Sequence, residues 1–158
     1  MKTIAFYITL LGISSLLACS VPPSENNQEQ QIEKDTTVKG NVAYLDISGP
    51  LNASLIEEGK IIFEKRCDNC HRNDSIQLVG PGWAGITNRR SPEWIMNMIL
   101  NVAIMVEHDS VAHKLLDEND VRMPDQNLSV DKARAILEFM RANDLKTVGT
   151  KDEADLKE

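Results

Sequence analysis

The chain opens on a mostly apolar stretch from Ile4 to Leu17, close in length to the apolar part of an export signal and short for a membrane span. The pattern then turns polar. Residues 20–40 hold Pro22, Pro23, Asn26, Asn27, Gln28, Gln30 and Gln31 with little that is apolar, which predicts a disordered tether. A flexible coil of that length reaches about 25 Å. Residues 41–50 become apolar again and predict a short extended piece lying on the domain that follows.

From 51 to 145 the apolar residues fall at three- and four-residue spacings, the period of helices packed on one face. The first helix runs from Leu51 to Lys65, with Leu55, Gly59, Ile62 and Phe63 on its inner side. Ser91-Pro92-Glu93 marks a helix start, since Ser caps well and Pro suits the first position. That helix carries Trp94, Ile95, Met98, Ile99 and Val102 and is apolar almost all round, so it belongs in the interior. Asp109 or Ser110 caps a shorter helix through Leu115 and Leu116. Ser129 with Asp131 begins a last helix through Ala133, Ile136, Leu137, Phe139 and Met140, with Asn143 as its stop. A polar tail, expected to fray, follows from about Lys146. No strand ladder, internal repeat or Gly-rich phosphate loop is visible, so the fold class is all-α: one domain over 51–145, after a signal at 1–18 and a tether at 19–50, and before the tail at 146–158.

Composition narrows the function. The 158 residues suffice for one ordinary domain. Seventeen basic against 24 acidic residues give a net charge of −7. A general grip on nucleic-acid phosphates is excluded, because no basic surplus exists to release counterions. Without residues 1–18 the chain loses Lys2 and stands at −8.

The chemistry lies at Cys67-Asp68-Asn69-Cys70-His71. C-x-x-C-H is the spacing of covalent haem attachment. Two thiols three positions apart can each add to a haem vinyl group, and the next histidine offers an imidazole nitrogen to the iron. A zinc ribbon needs two such pairs and only one is present. A thioredoxin-like pair needs a βαβ context that the pattern lacks. A plain disulfide leaves His71 without a job.

Leu16-Leu17-Ala18-Cys19 resembles the lipobox of bacterial lipoproteins. The resemblance implies that Cys19 is acylated and becomes the new N-terminus, anchoring the chain to the bacterial cell envelope through two or three acyl chains.

Residues 51–145 resemble a class I, monohaem cytochrome c. Gly59, Phe63 and Cys67 sit at four-residue intervals, as in that family, where a glycine and an aromatic let the first and last helices cross closely. Ile136 and Phe139 are the expected partners on the last helix. Val79-Gly80-Pro81 resembles the family's Gly-Pro loop, whose proline carbonyl accepts a hydrogen bond from the haem-ligating imidazole. The resemblance implies one covalent haem c on Cys67 and Cys70, with His71 on the iron.

Candidates for the second axial position are Met96, Met98, Met105, Met123, His108 and His113. Met123 is favoured: Arg122-Met123-Pro124 and the polar run to Leu128 resemble the family's methionine-ligand loop. Met96 and Met98 fit core positions. Methionine and histidine together raise the reduction potential and leave the iron no free site, which suits an electron carrier and not an enzyme. Arg89 and Arg90 are candidates to pair with haem propionates, and Trp83 and Trp94 to donate indole N–H to them or simply to pack. The resemblance implies redox protein partners: a quinol-oxidising complex or dehydrogenase upstream, an oxidase or nitrogen-oxide reductase downstream. A haem-based sensor and a haem-free thiol oxidoreductase using Cys67 and Cys70 are the rival readings.

Overall fold

The computed structural model describes residues 41–154; the expected signal, the acylated Cys19 and the tether lie outside the described residues. Six helices follow one another: α1 (Ala53–Arg66), α2 (Ile86–Arg89), α3 (Pro92–Leu100), α4 (Val102–His108), α5 (Ser110–Asn119) and α6 (Val130–Thr147), with no strand among the described residues. The all-α class read from the sequence is the class observed. None of the described helices is long and apolar enough to cross a membrane.

Local signals set most boundaries. The Asn52 side chain accepts from the backbone N–H groups of Ser54 and Leu55, Ser91 from Trp94 with Pro92 at the first position, and Asp109 from Ala112. These caps satisfy first-turn donors that no helix can satisfy by itself. One expected helix divides. The apolar run through Val102 breaks at Asn101 (φ −150°, ψ 72°), whose side chain accepts from Ile104 N–H and starts α4. An Asn that bonds nearby backbone competes with the helical ladder. The four-residue α2 was not expected, and Arg89 belongs to it.

Asn143 does not stop the last helix. Its side chain is buried and donates to the Asn73 carbonyl at 2.7 Å, so it leaves the helical ladder alone and α6 continues to Thr147. Nor is the tail frayed through residue 154. It doubles back onto α2: Asn88 donates to Thr150 Oγ1 at 2.8 Å, Thr87 Oγ1 accepts from Asp152 N–H, and Asn88 Oδ1 accepts from Glu153 N–H.

The core gathers Phe63, Trp83, Ile95, Met96, Leu100, Ile136, Leu137 and Met140 between α1, α3 and α6. Residues 41–50 form the extended strap that their apolar pattern predicts. Val42 exchanges both backbone bonds with the Asn97 side chain, and Ile47 is buried. The strap and tail meet at a buried ion group on α6. Arg141 donates to Glu138, Asp152 and the Ile47 carbonyl, while Glu138 also takes Arg134 and the Asn52 N–H. Each buried charge therefore has an opposite charge and hydrogen bonds, the condition for tolerating it in an interior.

Candidate functional site

The site begins where α1 ends. Cys67 caps α1, donating its N–H to Phe63 O at 2.8 Å. The chain then turns tightly: Cys70 N–H and His71 N–H both donate to Cys67 O, at 3.0 and 2.8 Å. This compact turn brings both thiols and the imidazole to the wall of one cavity of about 300 Å³, whose lining surface is mostly apolar but includes Arg66, Arg89, Arg90 and Arg122. Both cysteines are free, and burial pushes the Cys67 thiol up to about 11.

His71 is held in a fixed orientation. Its Nδ1 lies 2.9 Å from the Pro81 carbonyl oxygen, the contact expected from Val79-Gly80-Pro81. A carbonyl accepts, so Nδ1 carries the proton and Nε2 is left with its lone pair. Burial holds the imidazole below its ordinary value, against the opposite pull of the Pro81 carbonyl, and so favours the neutral ring that a metal requires. Gly80 lies flat against that ring: a Cβ there would stand 2.4 Å from His71 Cε1. Behind the ring, Trp83 packs at 5.6 Å from His71 and 4.8 Å from Phe63, centroid to centroid.

Much of the remaining lining comes from α3, α4, α5 and the loop after α5. Met123 and Met98 line the cavity; Met96, Met105, His108 and His113 do not. Met96 is fully buried elsewhere in the core, and the two histidines are exposed. Of the six axial candidates the fold thus brings two methionines to the site. Met98 is fixed within α3, whereas Met123 stands on the loop between α5 and α6.

Arg89, Arg90, Trp83 and Trp94 also line the cavity. Arg89 donates to the Ala84 carbonyl at 2.7 Å, and Arg90 stacks over Trp94 at 5.3 Å. The Trp94 indole N–H donates to Asp109 Oδ1 at 3.1 Å, a partner the sequence pattern did not foretell. Ala135, which faces Gly59, was likewise missed; small residues in a helix give no signal of which neighbour they admit.

A largely apolar cleft lined by two thiols, an oriented neutral imidazole and a thioether fits a haem held at its edge and on its iron. The glycine lying flat on the ring would leave the imidazole no room if it bore a side chain. The molecule is of the class of small helical haem proteins. Residues 56–144 match the cytochrome c family, and the chain belongs to that family, whose members carry electrons on a covalently attached haem c. Haem c is its cofactor. Among solved structures, cytochrome c from Rhodothermus marinus is similar at 34% identity and a TM-score of 0.66, over 68% of this chain and 92% of that one. An engineered cytochrome c from the same organism, bound to a carbene intermediate, is similar at 34% identity and a TM-score of 0.61, over 66% and 90%. Comparison with curated protein sequences finds no significant match.

Proposed function

We propose that this chain is a single-electron carrier tethered to a membrane of the bacterial cell envelope. Cys67 and Cys70 hold the haem by thioethers, and His71 and Met123 take the two axial positions. The bound haem supplies a one-electron ferric/ferrous couple. The observation that carries the reading is the 2.9 Å contact between His71 Nδ1 and Pro81 O, in a cavity that Met123 also lines. An imidazole so fixed would leave Nε2 for the iron, and the Met123 thioether would supply the second ligand. With both faces closed no substrate reaches the iron, which supports a carrier and not an enzyme. Arg89 and Arg90, at the cavity wall, offer guanidinium groups to the propionates. Trp83 contributes its ring as the wall behind His71.

Cys19 anchors the chain by its acyl groups. The loop that carries Ile76 and Leu78, 57% and 53% exposed, is tied to α5 by Gln77 and Asn119 and borders the cavity. Val121, 52% exposed, also lines the cavity. Such an apolar rim suits brief docking of redox proteins, a quinol-oxidising complex or dehydrogenase on one side and a terminal oxidase or nitrogen-oxide reductase on the other.

The test is a visible spectrum of the protein made with a haem-maturation system, oxidised and reduced, with and without carbon monoxide. The expected result is a low-spin reduced spectrum, a weak far-red sulfur-to-iron band in the ferric form and no shift with carbon monoxide. Met123→Ala should admit carbon monoxide and lower the reduction potential; if neither changes, Met123 is not the ligand. A shift with carbon monoxide in the unaltered protein makes it a ligand-binding haem protein instead, and absence of haem leaves the thiol reading. Cys19→Ser should abolish labelling by a fatty acid and release the protein from the membrane fraction.

A further inference from the structure

Asp144 is fully buried on α6 and is not part of the ion group around Arg141. Its two oxygens take three donors, all from the segment at the start of α2. Oδ1 accepts from Gly85 N–H at 2.7 Å, and Oδ2 from Thr87 N–H and Thr87 Oγ1, both at 2.8 Å. The Thr87 hydroxyl oxygen in turn accepts from Asp152 N–H, so its proton is committed to Asp144. Every hydrogen-bonding neighbour of the carboxyl therefore donates, and with Arg89 these donors favour the carboxylate against burial, which pushes the group up. The same short segment leads into Arg89 and Arg90, which line the cavity, and Arg89 reaches back to the Ala84 carbonyl beside it. The backbone that sets where these two guanidinium groups stand is thus fixed from below by one buried side chain.

We propose that Asp144 is a positioning residue for Arg89 and Arg90, holding their charges against the haem propionates and so contributing to the reduction potential. The proposal rests on the haem reading above. Its sign separates it from a plain charge effect. A guanidinium kept beside the propionates offsets their negative charge and favours the ferrous state. Letting it drift favours the ferric state and lowers the potential. The Asp144 charge, acting directly through space, would do the reverse, since removing a negative charge favours the ferrous state and raises the potential.

The experiment is spectroelectrochemical titration of the holoprotein carrying Asp144→Asn, alone and with Arg89→Gln and Arg90→Gln together, with a thermal melt of each. The asparagine amide turns donors toward donors and should loosen α2. The expected result is a lower potential for Asp144→Asn, and no further lowering when the two arginines are already gone. A raised potential, an unchanged potential with a lower melting temperature, or a shift of equal size in both backgrounds overturns the proposal. Thr87→Val keeps the carboxylate and removes one donor. It should lower the potential by less and in the same direction, and it decides by the same criteria if Asp144→Asn does not accumulate. A wild-type spectrum without His/Met features would defeat the ligation proposed for His71 and Met123 and leave the coupling between Asp144 and the arginines readable on the bound haem.

Discussion

Gly59 on α1 faces the backbone carbonyl of Ala135 on α6 so closely that a Cβ on Gly59 would fall 2.1 Å from that oxygen and 2.8 Å from Phe139 Cβ. Backbone cannot step aside as a side-chain tip can, so the two helices cross at a distance only glycine allows. Phe63, one turn on, meets Phe139 at 5.4 Å and Trp83 at 4.8 Å, and Cys67 follows after another turn. The crossing therefore sets where the first thiol stands. Gly59→Ala should force α1 from α6 and cost about 1–3 kcal/mol, as overpacking does in close-packed interiors. Denaturant unfolding of the holoprotein measures it. A loss within a few tenths of a kcal/mol would show that the crossing can widen freely.

A second close approach fixes the His71 ring. Gly80 lies against the His71 ring, where a methyl group on its Cα would put carbon 2.4 Å from Cε1, while the neighbouring Pro81 carbonyl fixes Nδ1. Gly80→Ala should tilt the ring or break the Pro81 contact. The expected outcome is a mixed-spin ferric spectrum and carbon monoxide binding in the reduced form, with the two thioethers retained on denaturing gels stained for haem. A spectrum identical to wild type would mean the loop moves and the ring does not.

The legible parts of this protein were those encoded within a few residues of one another. Cys67-x-x-Cys70-His71 states its chemistry in five positions, and Ser91-Pro92, Asp109 and Ser129 state their helix starts through hydrogen bonds that span three residues. Met123 was singled out by its loop, and the fold places it in the cavity. The parts not legible join distant residues. Asn143 has the character of a helix stop, but its amide is taken up by the Asn73 carbonyl, 70 residues away. The tail reads as free because its partners, Thr87 and Asn88, lie 65 residues back. Asp144 reads as an ordinary polar position near a helix end, and its three donors come from Gly85 and Thr87, at the start of a helix too short to give a period. Hydrophobic spacing reports which face is inward, not which polar groups meet there.

The ion group on α6 predicts how the fold responds to acid. Burial pushes the Glu138 carboxyl up, but the Asn52 N–H, Arg134 and Arg141 together outweigh burial and hold it below its ordinary 4.5. Its folded value is depressed, so its contribution is present above 4.5 and is lost as pH falls through the folded value. Arg141→Met removes one of those partners and leaves the Ile47 carbonyl and Asp152 without it. The expected cost at neutral pH is about 3–5 kcal/mol, the range for breaking a buried pair. The acid-unfolding midpoint should also move to higher pH, because Glu138 then protonates more readily. Circular dichroism across an acid titration checks both, and an unmoved midpoint would separate Glu138 from the acid transition.

Asp109 serves two elements with one oxygen. Its Oδ1 accepts from Ala112 N–H at 2.8 Å, capping α5, and from the Trp94 indole at 3.1 Å, tying α5 to α3. Trp94, Leu115 and Leu116 all line the cavity, and Trp94 and Leu116 pack in the same cluster as Met123, so this oxygen ties that part of the lining together. Asp109→Ala loses the cap, worth about 0.5–2 kcal/mol. It also leaves the indole without its acceptor, worth about 0.5–1.5 kcal/mol. The two losses share one atom, so a total of about 1–3 kcal/mol is expected. Asp109→Asn keeps a carbonyl oxygen in place and should lose only a small part of this. Met123 packs in the same cluster as Trp94 and Leu116, so if Met123 is the iron ligand as proposed, loosening this contact should weaken its hold. Reduced Asp109→Ala holoprotein should therefore bind carbon monoxide, as the wild type is expected not to, while Asp109→Asn should not bind it. Stopped-flow mixing measures the binding. No binding by either variant, with Asp109→Ala still destabilised, would confine Asp109 to the stability of α5.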